Sequence, residues 1–474
     1  MLNQPKELSE NLSSIKETLV RRFCRRILVT LVATTVVLIS ATTNAQTPLD
    51  SLLRPYLSKY DLPAISAAVV KEGKILAAGA TGTRRAGVTV PVTIDDRFHL
   101  GSDTKAMTAL LAAMMVEEGK LRWNSTLVDV FPELAEKMDP RLRIVTLEQL
   151  LTHTSGIPTD NEDIFSVYKE AMFQDGNLDD LRYWVVREWS QRPLEFDPGT
   201  QFAYANMGYT IVGAMLERVG GKTWDELITE RVFQPLGMKS AGLGPQASLG
   251  KIDAPLGHTL VGGKPKAFLA GPNGDAPSLI GPAGIAHMSI LDFARWAGWN
   301  VGEGKRGPAL VMPETMRKLH TPVFTMPPKK DAPPGTPPGG RYALGWGELP
   351  VDWAPYPLLY HGGSNGMNLA HIWLDVKQDF AMVIATNIGG PRANEGILAL
   401  AGELYAKFAN RRGGGTRSHT TRGTKTPEKW INPVVGQKSS NFFMNPGHDF
   451  FVGRVSVPDI RVQPLSGLNP RPTC

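Results

Sequence analysis

Short apolar runs crowd the two ends of the stretch 46–410, and helix-period patterns fill the space between them. Residues 64–70 and 75–80 are apolar runs separated by Lys71-Glu72-Gly73-Lys74, which predicts two strands joined by a tight hairpin. In 98–118 the rhythm changes. Met107, Leu110, Leu111, Met114 and Met115 recur on one helical stripe, while Ala106, Ala109, Ala112 and Ala113 fill the opposite one. This helix is expected to be buried all round until Gly119 stops it. Thr146-x-x-Gln149 is a capping box opening another helix, which runs into His153-Thr-Ser-Gly156. Residues 160–192 mix acidic and aromatic residues at helical spacing, and 207–219 predicts a helix ended by Gly220 and Gly221. Thr223-x-x-Glu226 and Ser289-x-x-Asp292 each open one more. The proline- and glycine-rich stretch 322–340 reads as a surface loop and not a core element. Strand-like runs return at 342–346, 367–374 and Phe380–Thr386, and a last helix over 393–408 is expected to pack on the sheet.

Two strands, a long helical stretch, three strands and a helix make an α+β fold. One antiparallel sheet, flanked by helices and built from both chain ends, carries an inserted, mainly helical lobe. The chain's 474 residues, 42% hydrophobic and 20% charged, are ordinary globular material.

The two termini depart from that picture. Residues 1–26 are polar and end in Arg21, Arg22, Arg25 and Arg26. The run 27–40 is apolar, and Thr43-Asn44-Ala45 offers a small-residue cleavage site. We read 1–45 as a secretory signal peptide, which implies a periplasmic or secreted protein. The apolar run of 14 residues is short of the roughly 20 that a membrane helix needs, so membrane contact is expected only through this segment if it stays uncleaved. Only two cysteines occur, Cys24 and Cys474, so a cleaved product has no internal disulfide. From Arg411 the composition turns to Gly, Thr, Ser, Arg and Pro, and 411–474 is expected to be a basic, mostly disordered tail. Residues 1–45 hold 6 Lys+Arg against 3 Asp+Glu and 411–474 hold 10 against 3. Subtracting both from the totals of 51 and 45 leaves 35 against 39 for 46–410. A mildly acidic body lacks the basic face of a nucleic-acid platform, so no nucleic-acid partner is expected.

The candidate chemistry starts at the buried helix. Ser102 and Lys105 stand three apart and share one side of its first turn. Burial drives a lysine toward its neutral amine, which is a base for a neighbouring serine, and a helix N-terminus favours the resulting alkoxide. A plain helix cap at Ser102 and a snorkelling Lys105 are the alternative. Ser-x-x-Lys occurs at Ser13, Ser102, Ser166 and Ser248, so the pattern by itself is weak. No HExxH, paired cysteines or phosphate-cradling loop appears, and no metal or other cofactor is implied.

Ser102-Asp-Thr-Lys105, the phrase LLTHTSGIP around His153, Tyr204-Ala-Asn206 before a Gly-Tyr helix, and His361-Gly-Gly363 before a late strand follow one another in a telling order. With these, the chain over residues 49–408 resembles the serine β-lactamase-like superfamily: cephalosporinase-type β-lactamases, D-Ala-D-Ala carboxypeptidases, D-aminopeptidases and family VIII carboxylesterases. Tyr204-x-Asn206 is the only Tyr-x-Asn among ten tyrosines. The resemblance implies a β-lactamase/transpeptidase-like fold with Ser102 as nucleophile and Lys105 as its proton acceptor. Tyr204 would relay a proton with its phenol acidified by nearby cations, and Asn206 would position Lys105 or substrate. The backbone N–H groups of Ser102 and Ser364 would form the oxyanion hole, with Gly362 and Gly363 letting backbone and substrate approach. Alternatives at single positions are a core aromatic at Tyr204, an N-cap at Asn206 and a strand-entry turn residue at His361. His153 is read as structural.

His361 stands where true β-lactamases carry the lysine of Lys-Thr-Gly, and a largely neutral histidine suits a substrate carboxylate poorly. Histidine at this place looks more like the esterase and D-aminopeptidase branches, so the resemblance implies a secreted serine hydrolase working through an acyl-enzyme on a carboxylic ester or small amide. A D-Ala-D-Ala carboxypeptidase or β-lactamase is the second reading. A non-catalytic cell-wall or ligand-binding relative is the third. The expected partner is a small ester, amide or peptide substrate, and the sequence leaves the oligomeric state open.

Overall fold

The computed structural model describes residues 46–269, 275–328, 334 and 339–409. The expected signal segment and the expected tail lie outside the described residues. The chain divides into two units, and all the described residues belong to the first, Met1–Gly414.

The strands in chain order are β1 Thr47–Pro48, β2 Ala64–Lys71, β3 Lys74–Gly82, β4 Arg97–His99, β5 Gly242–Leu243, β6 His258–Val261 and β7 Lys264–Ala267. They continue with β8 Ala286–Ser289, β9 Phe324–Met326, β10 Gly340–Tyr342, β11 Gly347–Leu349, β12 Leu358–Ser364, β13 Leu369–Asp375 and β14 Phe380–Thr386. The helices are α1 Asp50–Tyr60, α2 Thr104–Glu117, α3 Leu127–Val130, α4 Leu147–Leu151, α5 Glu162–Ala171 and α6 Leu178–Trp189. After them come α7 Asn206–Gly220, α8 Trp224–Ile228, α9 Gly281–Gly284, α10 Ile290–Val301, α11 Pro313–His320 and α12 Pro391–Phe408.

Among the described residues nine strands form the main sheet in the order β1-β3-β2-β14-β13-β12-β11-β10-β9. Strands from the two ends of the chain meet at β2 and β14, as the apolar runs predicted. All neighbours are antiparallel except β1, which lies parallel to β3. The β2–β3 hairpin turns through Glu72 and Gly73, both at positive φ (52° and 75°), the conformation a two-residue turn between twisted strands demands. β2 is apolar on both faces because both are covered. Ile65, Ala67 and Val69 join Leu53 of α1 and Ile397, Leu400 and Leu404 of α12 in one core cluster, and Val70 meets α10 at Gly298.

Three expectations need correction. The run 342–346 is not a strand: Tyr342 ends β10, and the chain turns at Gly345 before β11. The stretch 322–340 contributes β9 and the start of β10 at the sheet edge, and Met326 is buried in the core. Finally, His361-Gly-Gly-Ser364 does precede the next strand, β13, but is not a loop: it completes a strand of its own, β12, paired with both β11 and β13.

The helical region from α3 to α8 is inserted between α2 and the return to the sheet. Thr146–Gln149 and Thr223–Glu226 form reciprocal capping boxes as the sequence predicted. Ser289 caps α10, but the Asp292 carboxylate turns away to accept from the backbone N–H and hydroxyl of Ser240. Among the described residues no helix is long and apolar enough to cross a membrane.

Candidate active site

α2 is buried from Thr104 to Met115, and a 3-10 turn, Gly101–Asp103, leads into it. This turn lies against β12 with almost no room between the two backbones. A Cβ on Gly363 would fall 1.9 Å from Leu100 O and 2.4 Å from the Ser102 nitrogen, and one on Gly101 would fall 2.3 Å from the Ser364 nitrogen. Glycine is required on both sides, and Gly101 also sits at φ 52°. The close approach brings the backbone nitrogens of Ser102 and Ser364 to the same small space.

Lys105 is fully buried, and its ammonium has three acceptors: Ser102 Oγ at 2.9 Å, Asn206 Oδ1 at 2.7 Å and Ala283 O at 2.8 Å. Burial lowers its pKa to about 7 against the pull of Asp160 and Asp103, which favour the cation. As a neutral amine it keeps two N–H groups for Asn206 and Ala283 and turns its lone pair to the Ser102 hydroxyl. That is the geometry of a base acting on a nucleophile.

Asn206 opens α7 and is not its cap, which is Ala205. Its Nδ2 donates to Asp160 Oδ2 at 2.6 Å, and this contact turns Oδ1 toward Lys105. Tyr204 lies over the same amine, its ring centroid 4.8 Å from Lys105 Nζ, and its enclosed hydroxyl makes no hydrogen bond of good geometry. The expected acidification of this phenol is overturned. Burial pushes its pKa well above the ordinary value, and the nearby carboxyls of Asp103 and Asp160 add to the rise although Ser102 opposes it. Tyr204 is thus a neutral phenol, able to donate a hydrogen bond.

His153, read from the sequence as structural, is buried, and its Nε2 has no hydrogen-bond partner. It sits at φ 60°, its carbonyl accepts from Ala203 N and its Nδ1 from Ala205 N at 3.1 Å, and its ring lies 4.3 Å from that of Tyr204. His361 is fully buried, with Nε2 3.1 Å from Tyr342 Oη and Nδ1 2.9 Å from Gly362 O. Burial, helped by the Lys105 charge, lowers its pKa to about 3, so it is neutral. Both its ring nitrogens have protein partners, which leaves it a support of the strand rather than an open contact for a substrate carboxylate. The Ser364 hydroxyl donates to Asn368 O at 2.7 Å and accepts from Gly366 N at 2.9 Å, fixing the turn after β12.

The structure therefore brings Ser102, Lys105, Tyr204, Asn206, His361, Gly363 and Ser364 together. Sequence reading missed Asp160, the Ala283 carbonyl and Asp103. Asp103 was visible as the second residue of Ser-Asp-Thr-Lys, and both its carboxyl oxygens are buried without a hydrogen bond, 3.7 Å from His361 Nδ1 at the nearest. Burial raises its pKa well above the carboxylate range against the pull of Lys105. Nothing in the local pattern marks Asp160 or Ala283. Among the described residues no group of three His, Cys, Asp or Glu is placed to hold a metal ion.

Residues 49–407 match the Beta-lactamase family. The chain belongs to that family. It is 27% identical over 336 residues to "Penicillin-binding protein 4" of Amycolatopsis lactamdurans, covering 70% of this chain and 82% of that protein. It is 26% identical over 351 residues to "Protein flp" of Staphylococcus aureus (strain MW2), covering 73% of this chain. The match spans only 64% of the length of that relative. The solved structure of the octameric penicillin-binding protein homologue from Pyrococcus abyssi is similar with a TM-score of 0.59 and 25% identity, over 75% of this chain and 76% of that one. The α+β sheet-and-helix architecture is that of the β-lactamase/transpeptidase fold.

Proposed function

We propose that this β-lactamase-family protein is an exported serine hydrolase that cleaves a carboxylic ester or small amide through an acyl-enzyme. The observation that carries this is Lys105 Nζ, 2.9 Å from Ser102 Oγ in a buried site where its pKa is about 7. Ser102 Oγ attacks the substrate carbonyl carbon as Lys105 takes its proton. The oxyanion that forms accepts hydrogen bonds from the backbone N–H groups of Ser102 and Ser364. Collapse breaks the bond to the alcohol or amine, which leaves with the proton held by Lys105, passed directly or through the Tyr204 hydroxyl. A water then gives a proton to Lys105 and adds its oxygen to the acyl carbon. Ser102 departs with that proton, releasing the acid.

The neutral, enclosed His361 supports the ester or small-amide choice, because it supplies no permanent cation for a substrate carboxylate. The similarity to a penicillin-binding protein favours a second reading, acylation by β-lactams or D-Ala-D-Ala peptides. The mature protein should label with a fluorophosphonate and hydrolyse p-nitrophenyl acetate, and Ser102→Ala should lose both. Labelling that survives Ser102→Ala would refute the proposal. Stable labelling by fluorescent penicillin, absent in Ser102→Ala, would move the assignment to the second reading.

A further inference from the structure

The two halves of the oxyanion hole belong to different elements and meet through glycine backbone at Gly101 and Gly363. Such a contact is close but has no interlocking side chains to hold one backbone from sliding along the other. A buried polar bridge crosses it instead. His99, at the end of β4 and fully buried, accepts from the Gly101 N–H at Nδ1, 3.0 Å away. Its proton is then on Nε2, which donates to Asp275 Oδ2 at 2.9 Å. The second oxygen, Asp275 Oδ1, accepts from Asn365 Nδ2 at 3.0 Å and from the Ala276 N–H at 2.7 Å. Asn365 follows Ser364 directly, and its Oδ1 accepts from the backbone N–H groups of Met367 and Asn368 at 3.2 and 3.0 Å. One carboxylate thus reaches the residue before Ser102 through His99 and the residue after Ser364 through Asn365. Asp275 and Asn365 are both 6% exposed, so little water competes for these bonds.

We propose that Asp275 is a positioning residue of the oxyanion hole, setting the separation of the Ser102 and Ser364 N–H groups through His99 on one side and Asn365 on the other. This rests on the hydrolase reading, in which those two N–H groups bind the oxyanion. The Asp275 carboxylate touches no reacting atom, and its effect belongs to the tetrahedral intermediate rather than to the bound ground state. Asp275→Asn keeps the shape but turns a donor toward either Asn365 and Ala276 or His99, so one arm of the bridge is lost.

The test uses the full mature protein and p-nitrophenyl acetate, with a phenylboronic acid as a tetrahedral adduct of Ser102. In Asp275→Asn, kcat should fall about 10- to 100-fold, less than the roughly 10²–10³ lost when an oxyanion donor is removed outright, with KM within about twofold. The boronate inhibition constant should rise by a similar factor. Asn365→Ala removes the other arm without changing charge and should give the same split, which keeps the test open should Asp275→Asn fail to fold. Wild-type kcat in either folded variant, or a fall in kcat without the matching loss of boronate affinity, overturns the proposal. Activity retained in Ser102→Ala would instead remove the hydrolase reading itself, so the two failures are distinguishable.

Discussion

At the scale of single residues, the protonation of Lys105 is set by opposed neighbours. Burial favours the amine and brings its pKa to about 7, while Asp160 and Asp103 favour the ammonium. As the base, Lys105 acts unprotonated, so kcat/KM on an uncharged ester should rise with pH through about 7 and level off above it. Asp160→Asn keeps an acceptor for Asn206 Nδ2 but removes the carboxylate that most favours the ammonium. The acid limb of the pH–rate profile should then move to lower pH, and a limb that stays or moves upward would show that Asp160 does not govern this lysine. Ser102, Lys105, Tyr204 and Asn206 were legible because each lies in a short motif whose order along the chain could be checked. Asp160 was not, since its relation to Lys105 runs through the Asn206 amide and exists only once two loops and a helix have packed. The sign of the Tyr204 shift was missed for a similar reason: nearby Lys105 was foreseeable, the depth of burial and the two carboxyls were not.

At the scale of elements, helix caps and the β2–β3 hairpin were readable because their signals are local, a capping box or a two-residue turn. β12 was hidden because Gly362 and Gly363 break its apolar pattern. Those glycines serve the contact with the Gly101 turn, a tertiary demand that overrides strand propensity. The end of α11 shows a similar contest. His320 lies in its last turn, where a cation is favoured by about 0.3–1 kcal/mol, yet burial alone lowers its pKa to about 4. The unfolded chain takes up this proton near pH 6.5 and the folded one does not. Stability from this group is therefore present above pH 6.5 and lost as pH falls toward 4. Between pH 7 and pH 5 the loss from one such group is about 2 kcal/mol. In His320→Gln, the drop in unfolding free energy between those two pH values, measured by urea titration, should shrink by about that amount. The other buried histidines contribute equally to both proteins and cancel in the difference. An unchanged drop would mean that His320 takes up its proton in the folded state.

At the largest scale, the sheet supplies β12 and the helical region supplies Tyr204 and Asn206, so the site depends on how the elements between them are joined. One joint is the buried Arg182 of α6. It pairs with Glu217 of α7, reaches Asp225 of α8 at 2.8 Å, and donates to Leu279 O at 2.9 Å and Ser278 O at 3.1 Å, just before α9. α9 in turn carries the Ala283 carbonyl that accepts from Lys105. Pro282 of the same turn packs where a Cβ on Gly213 of α7 would stand, 2.3 Å away, and its carbonyl accepts from Thr108 of α2. Removing Arg182 leaves the Glu217 carboxylate, whose side chain is 6% exposed, with only the Trp224 N–H at 2.8 Å on its bonded oxygen. A buried pair broken on one side typically costs about 3–5 kcal/mol. Arg182→Met should therefore destabilise the protein by about that much at pH 7 in urea unfolding. Burial already raises the Glu217 pKa against the pull of Arg182, so in the variant this carboxyl takes a proton more readily than in wild type, and the deficit should narrow toward pH 5. Adding Glu217→Gln to Arg182→Met should recover part of the loss at pH 7 and flatten its pH dependence. If the double variant is as unstable as the single and equally sensitive to pH, the stranded charge is not the cause, and the lost contacts to Leu279 and Ser278 are.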